Sequence, residues 1–202
     1  MRQARSTSAT LTPSSSSPTV TILAPQARKA ATAYRQTLAD VDALAKSGRD
    51  LAAVVDTIED EGGLVNKFEG DAALAVFGAP VNLANPAASA LAAARDLADR
   101  LTEGLDIGWG IGVSYGEAFA GNIGAERRYE YTVIGDAVNG AARLTDMAKE
   151  TPGLVLTNAA TLRTANEVEQ QRWTLMKSVE LRGRGKMTQL ARPVRSTLAD
   201  RS

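Results

Sequence analysis

Two short β runs, Leu64–Phe68 and Ala72–Phe77, meet at Gly70-Asp71 in a chain whose flanking stretches are helical in pattern. Apolar runs joined by so short a glycine-containing turn form a hairpin. Helices that interleave with strands containing hairpins imply an α+β sandwich of ferredoxin-like character. Upstream, Ala27, Ala30, Ala31, Tyr34, Leu38, Val41 and Leu44 keep the three-and-four spacing of an amphipathic helix over about 26–46, which Ser47-Gly48 stops; a second helix is expected over about 50–61. Downstream, Asn85-Pro86 supplies an N-cap with proline at the first helical position, opening an alanine-rich helix that runs to about Leu101 and is ended by Gly104. Residues 106–124 alternate as two strands dividing around Ser114–Gly116, and their many glycines imply a bent strand or close approach by another backbone. A strand over Tyr131–Ile134, a helix over Ala137–Lys149, a strand over Leu154–Leu156 and a short helix over Asn158–Thr164 follow. Three small strands, Trp173–Met176, Val179–Leu181 and Met187–Leu190, close the domain.

Residues 5–19 are almost all Ser, Thr and Pro, too polar to offset chain entropy by burial. A disordered tail is therefore expected over 1–19, a folded domain over 20–193 and a short tail over 194–202. Val20 to Leu23 reads as a strand that Pro25 ends. The 202 residues suit one domain, and 44% hydrophobic with 23% charged residues is the composition of a soluble globular protein. Histidine and cysteine are absent. Ser-His-Asp and Cys-His nucleophiles, the usual zinc ligand sets and disulfides are thereby excluded. Any metal would be a hard, oxygen-loving ion, Mg²⁺ or Mn²⁺. The 23 basic and 23 acidic residues cancel, which argues against a general nucleic-acid or polybasic membrane binder. No stretch approaches the roughly 20 apolar residues that span a bilayer, and the start lacks an apolar signal core, so a cytoplasmic location is expected.

Two constellations can carry chemistry. In Asn66-Lys67-Phe68-Glu69-Gly70-Asp71, strand alternation places Lys67 and Glu69 on one face and turns Phe68 to the core, while Asp71 at the hairpin tip can reach a hard cation. The plainer alternative is that Gly-Asp is turn chemistry and Lys67 an exposed strand lysine. In Tyr131–Arg143, the helix buries Ala137, Val138, Ala141, Leu144 and Ala148, leaving Asn139 and Arg143 one turn apart on another face. An amide and a guanidinium so placed near a helix N-terminus can grip a phosphate or ribose. Alternatively, Asp136 caps the helix and both residues are merely solvated.

Taken together and in order, GGLVNKFEGDAALAVFGAP (62–80) and GIGVSYGEAFAGNIGAERRYEYTVIGDAVNGAARL (110–144) closely resemble the catalytic domain of class III adenylate and guanylate cyclases, most of all bacterial homodimeric adenylate cyclases of the actinobacterial kind. The resemblance covers about residues 50–192, including SVELRGRGKMTQLARP (178–193). By matching position it implies that Lys67 and Thr132 contact the purine, Asn139 orients the ribose, Arg143 stabilises charge on the α-phosphate, and Asp71 is the second of two metal-binding aspartates. It further implies a head-to-tail dimer in which one chain supplies metal ligands and the other the Lys-Thr-Asn-Arg set. The implied reaction is attack of the ribose 3′-oxygen on the α-phosphate of ATP, releasing pyrophosphate, with Mg²⁺ or Mn²⁺ as cofactor. ATP is favoured over GTP because the Glu and Cys typical of guanylate cyclases are absent at the places of Lys67 and Thr132.

One position departs from the family pattern. The family's first metal-binding aspartate ends the first strand, in a motif resembling Phe-x-Asp-x-x-Gly-Phe. The run in that place here, Val20–Leu23, leads into Ala24-Pro25-Gln26-Ala27, with no aspartate. Leu38–Leu44 echoes the motif but continues a helical pattern too near Asp71. Since Mg²⁺ is held by one or two carboxylates plus phosphates, a homodimer is expected to be feeble or inactive. A heterodimer with an intact cyclase chain would still hold one complete site. The alternative is a non-catalytic nucleotide-binding or dimerisation module that regulates a true cyclase.

Overall fold

The computed structural model describes residues 18–25, 52–69, 72–104, 109–125, 128–181, 185 and 187–194. The helix expected over about 26–46, the hairpin tip at 70–71 and most of both expected tails lie outside these residues. In chain order the elements are β1 (Pro18–Pro25), α1 (52–60), β2 (Leu64–Glu69), β3 (Ala72–Phe77) and α2 (Pro86–Gly104). Then come β4 (Ile111–Glu117), β5 (Phe119–Ala125), β6 (Arg128–Ile134) and α3 (Asp136–Ala148). The remainder is β7 (Val155–Asn158), α4 (Ala159–Thr164), α5 (Glu167–Gln170), β8 (Trp173–Glu180) and β9 (Met187–Pro193).

A seven-stranded sheet runs β2-β3-β1-β4-β7-β9-β8, and β5 with β6 form a separate two-stranded ribbon. The β2–β3 hairpin is antiparallel, closing at Glu69 opposite Ala72. Interior strand β1 is antiparallel to both β3 and β4. It begins earlier than composition suggests: Pro18 and Thr19, assigned to the tail, pair with Glu117 and Gly116. Two waiting strand edges supply ladder partners that a local Ser/Thr/Pro count does not register. β4 and β5 divide at Ala118 rather than around Ser114–Gly116. The two strands expected over Trp173–Met176 and Val179–Leu181 are one strand, β8, whose register shifts between Leu175 and Ser178.

Alternation along the central strands sends side chains to two different helical layers. Ile111 and Val113 of β4 and Val155 of β7 join a core with Val54 and Ile58 of α1 and with Ala90, Leu91, Ala94 and Leu97 of α2. Asn85 caps α2, accepting the Ala88 N–H at 2.9 Å, and Pro86 follows at the first helical position, as expected. On the opposite face Leu144 and Ala148 of α3 meet Leu156 and Leu190. There Gly112 admits α3 directly: a Cβ at that position would stand 2.3 Å from the Ala141 carbonyl oxygen and 2.4 Å from the Thr145 nitrogen. The close backbone approach expected from the glycines is this crossing. Among the described residues no helix is long and apolar enough to cross a membrane.

Candidate functional site

The residues singled out by the motifs lie on β2, on the β5–β6 ribbon and in α3, which follows directly from β6. β2 carries a bulge: Val65 lies opposite Ala75 and Lys67 opposite Leu74, so Asn66 has no partner in β3. Instead Asn66 Nδ2–H donates to the Tyr131 carbonyl of β6 at 2.9 Å. Lys67 and Thr132 are the residues that follow Asn66 and Tyr131, so the bond ties the two strands together one residue before each of them. Both are half-buried, which sets aside the reading of Lys67 as an exposed strand lysine. The side chains of Phe68 and Glu69 lie outside the description. Burial pushes the Tyr131 phenol above its ordinary value.

Thr132 stands across the ribbon from Gly121, and Ile134 across from Phe119. Directly opposed residues share a face, and over Gly121, opposite Thr132, lies the Phe119 ring, whose Cε1 and Cζ stand 3.3 Å from where a Gly121 Cβ would be. Phe119 and Ile134, at 42% and 56% exposure, form an apolar rim on the same face.

After Ile134 the chain turns at Gly135, where a Cβ would stand 2.9 Å from both the Ala118 Cα and the Glu117 oxygen. This contact fixes the entry into α3. Gly135 itself is the N-cap, with no side-chain cap; Asp136 is the first helical residue, contrary to the capping alternative. Its carboxylate in the first turn suits the positive end of the helix. The buried stripe is Ala137, Gly140, Ala141, Leu144, Thr145 and Ala148. Val138, expected in that stripe, is only half-buried, because the stripe follows the groove over Gly112 and so recruits Gly140 and Thr145. Asn139 and Arg143 point away from the chain's own sheet, Asn139 exposed and Arg143 half-buried. Among the described residues no carboxylate pairs with Arg143.

The metal side is different. Asp71 lies outside the described residues. The register sets Pro25 of β1 opposite Ala72 and Ala24 opposite Ala73. Ala24 and Pro25 have no donor side chains. Among the described residues no group of three or more His, Cys, Asp or Glu could hold a metal. A two-carboxylate donor set shared between the end of β1 and the hairpin tip does not fit the residues present. The Asn66 bridge was not among the expected site residues; no short-range pattern signals a bond between residues 65 apart.

The family model described as "Adenylate and Guanylate cyclase catalytic domain" matches residues 51–191. An uncharacterized protein of Mycobacterium tuberculosis, Rv1318c, is 51% identical over 144 residues, which are 71% of this chain and 27% of that protein. The chain thus spans about a quarter of the length of that relative. Among solved structures, the catalytic core of a rhodopsin-guanylyl cyclase with converted specificity, in complex with ATPαS, superposes with a TM-score of 0.70 at 21% identity, covering 89% of this chain and 97% of that one. The adenylyl cyclase CyaB from P. aeruginosa gives 0.68 at 22% identity, covering 89% and 95%. Both likenesses are of fold, and they establish the α+β architecture expected from the hairpin.

Proposed function

The chain belongs to the adenylate and guanylate cyclase catalytic-domain family, and from that membership we propose that it makes cyclic AMP and pyrophosphate from ATP as one half of a dimer whose other chain carries both metal-binding aspartates. Class III cyclases use divalent metals. The observation that supports a shared site is that Lys67, Thr132 and Arg143 are half-buried and Asn139 exposed on β2, β6 and α3, while β1 ends in Ala24-Pro25, which carry no carboxylate. In this reading Lys67 and Thr132 hold the purine edge and Asn139 orients the ribose. Arg143 neutralises charge that develops on the α-phosphate as the 3′-oxygen attacks, a donor in place before the reaction begins. Holding base, sugar and phosphate from two strands and one helix aligns the attacking oxygen without further reorganisation. A cytoplasmic site of action belongs to the same proposal, since the substrate is ATP.

The test is a cyclase assay with ATP and Mn²⁺ on the chain alone and mixed with a tester cyclase chain. The tester keeps both aspartates and has its own purine-binding lysine and arginine replaced. Cyclic AMP is expected from the mixture and little from either chain alone; Lys67→Ala in this chain should silence the mixture. Product from this chain alone that survives both Asp71→Ala and Lys67→Ala would overturn the assignment. The absent carboxylate also favours a second reading, a nucleotide-binding chain that regulates an intact cyclase. Its signature is ATP binding, lost in Lys67→Ala, with no product from the mixed dimer.

A further inference from the structure

We propose that Asn66 is a positioning residue that fixes the gap between Lys67 and Thr132 and, through it, the choice of purine. The proposal rests on Lys67 and Thr132 being the purine contacts. Asn66 is the extra residue of the β2 bulge, so its side chain is released from the β3 ladder and aimed at β6. The Tyr131 carbonyl can only accept, so the amide cannot turn over. Its Oδ1 is consequently buried with no hydrogen-bond partner among the described residues.

An unpaired buried carbonyl is destabilising, and an alanine at this position would leave none. What the amide provides in return is a fastening of β2 to β6 one residue before each purine contact. Adjacent strand residues are roughly 3.3 Å apart, so the bond crosses between the strands within one residue of Lys67 and of Thr132 and limits how far the two can drift apart.

Spacing matters because the two side chains cannot tell the purines apart by chemistry alone. The lysine ammonium only donates, whereas the threonine hydroxyl donates or accepts. Adenine presents a donor at its 6-position and an acceptor at N1; guanine presents the reverse order. A donor-only lysine must therefore meet N1 of adenine but O6 of guanine, with the hydroxyl taking the neighbouring place. A fixed gap permits one arrangement, and a loose gap permits both.

The experiment compares wild type, Asn66→Asp, Asn66→Ser and Asn66→Gln of the full chain in the mixed dimer, reading kcat and KM for ATP and GTP. Binding of fluorescent ATP and GTP analogues and thermal unfolding are measured alongside. Asn66→Asp keeps the shape and removes the donor; Asn66→Ser removes the reach should the aspartate fail to fold; Asn66→Gln keeps a donor. ATP-over-GTP preference is expected to fall about tenfold in the first two, through KM for ATP with kcat nearly unchanged, and to recover in part in Asn66→Gln. An unchanged preference in folded Asn66→Asp and Asn66→Ser, with Lys67→Ala abolishing ATP binding, would overturn the positioning role alone. ATP binding that survives Lys67→Ala would instead remove the purine-contact reading on which the proposal stands.

Discussion

Four asparagines mark the difference between the two faces of this molecule. On the face covered by α1, α2, α4 and α5, Asn85, Asn158 and Asn166 each cap a helix, accepting backbone N–H groups at 2.9, 2.8 and 2.9 Å. Asn66, beside the β5–β6 ribbon, keeps a buried oxygen that finds no donor among the described residues. The same contrast holds for charge. Arg95 grips Glu169 through two bonds of 2.8 and 2.9 Å, and Trp173 Nε1–H adds a third at 2.8 Å. Burial alone would lower the Arg95 guanidinium, but the carboxylate outweighs it and holds the group above its ordinary value. Arg143 meets no carboxylate among the described residues. Among the described residues, the first face pairs these groups within the chain, and the other leaves Asn66 Oδ1 without a donor and Arg143 without a carboxylate. Polar residues therefore have to be sorted by whether their partners are internal before any of them is assigned to chemistry.

Substitutions on the two faces should fail in different ways. The largest effect is expected from Glu169→Ala, which strands a mostly buried guanidinium and should cost about 3–5 kcal/mol in chemical denaturation. ATP-over-GTP preference of whatever remains folded should be unchanged. Arg143→Ala should reverse this profile, lowering kcat in the mixed dimer about 10²–10³-fold while stability stays within about 0.5 kcal/mol of wild type. Parallel melting and turnover curves on both variants would collapse the comparison if each lost both properties. A smaller effect is expected from Gly121→Val, whose side chain would have to push aside the Phe119 ring lying over this position opposite Thr132. Nucleotide analogue binding should weaken about tenfold, near the one-methylene-or-more penalty of a tight pocket, with the ribbon's fold retained.

The smallest prediction concerns acidity on the first face. Burial, followed by the nearby carboxylates of Asp96 and Glu169, pushes the Glu61 carboxyl above its ordinary value. A carboxyl raised in the folded state binds its proton more readily there than in the unfolded chain, so its ionisation opposes folding above its folded pKa. Glu61→Gln should therefore raise the melting temperature slightly at neutral pH. The gain should shrink and vanish as the pH falls through the carboxylate range, and a gain independent of pH would assign it to packing instead.

Local chemistry made much of the first face legible in the sequence. Asn85-Pro86 and Asn158 announce helix starts because a cap is satisfied within three residues. Periodicity missed α5, whose four residues hold too few turns to show a pattern. It split β8 in two because the register shift after Leu175 interrupts alternation. Beside the β5–β6 ribbon the motifs named Lys67, Thr132, Asn139 and Arg143 through resemblance, while the bond from Asn66 to the Tyr131 carbonyl was illegible: it joins residues 65 apart. Val138 was misplaced for a related reason. The buried stripe of α3 is set by a glycine on a different element, and no reading of the helix alone contains Gly112.

That glycine has a mechanical consequence. With its backbone seated on β4 at a distance no side chain could tolerate, α3 cannot slide or roll without lifting off the sheet. The backbone of Asn139 and Arg143 is therefore carried as a passenger of the central strands. Were the proposed cyclase site to close on a nucleotide, the movement would be of one whole chain against another, with this helix riding as part of a rigid body.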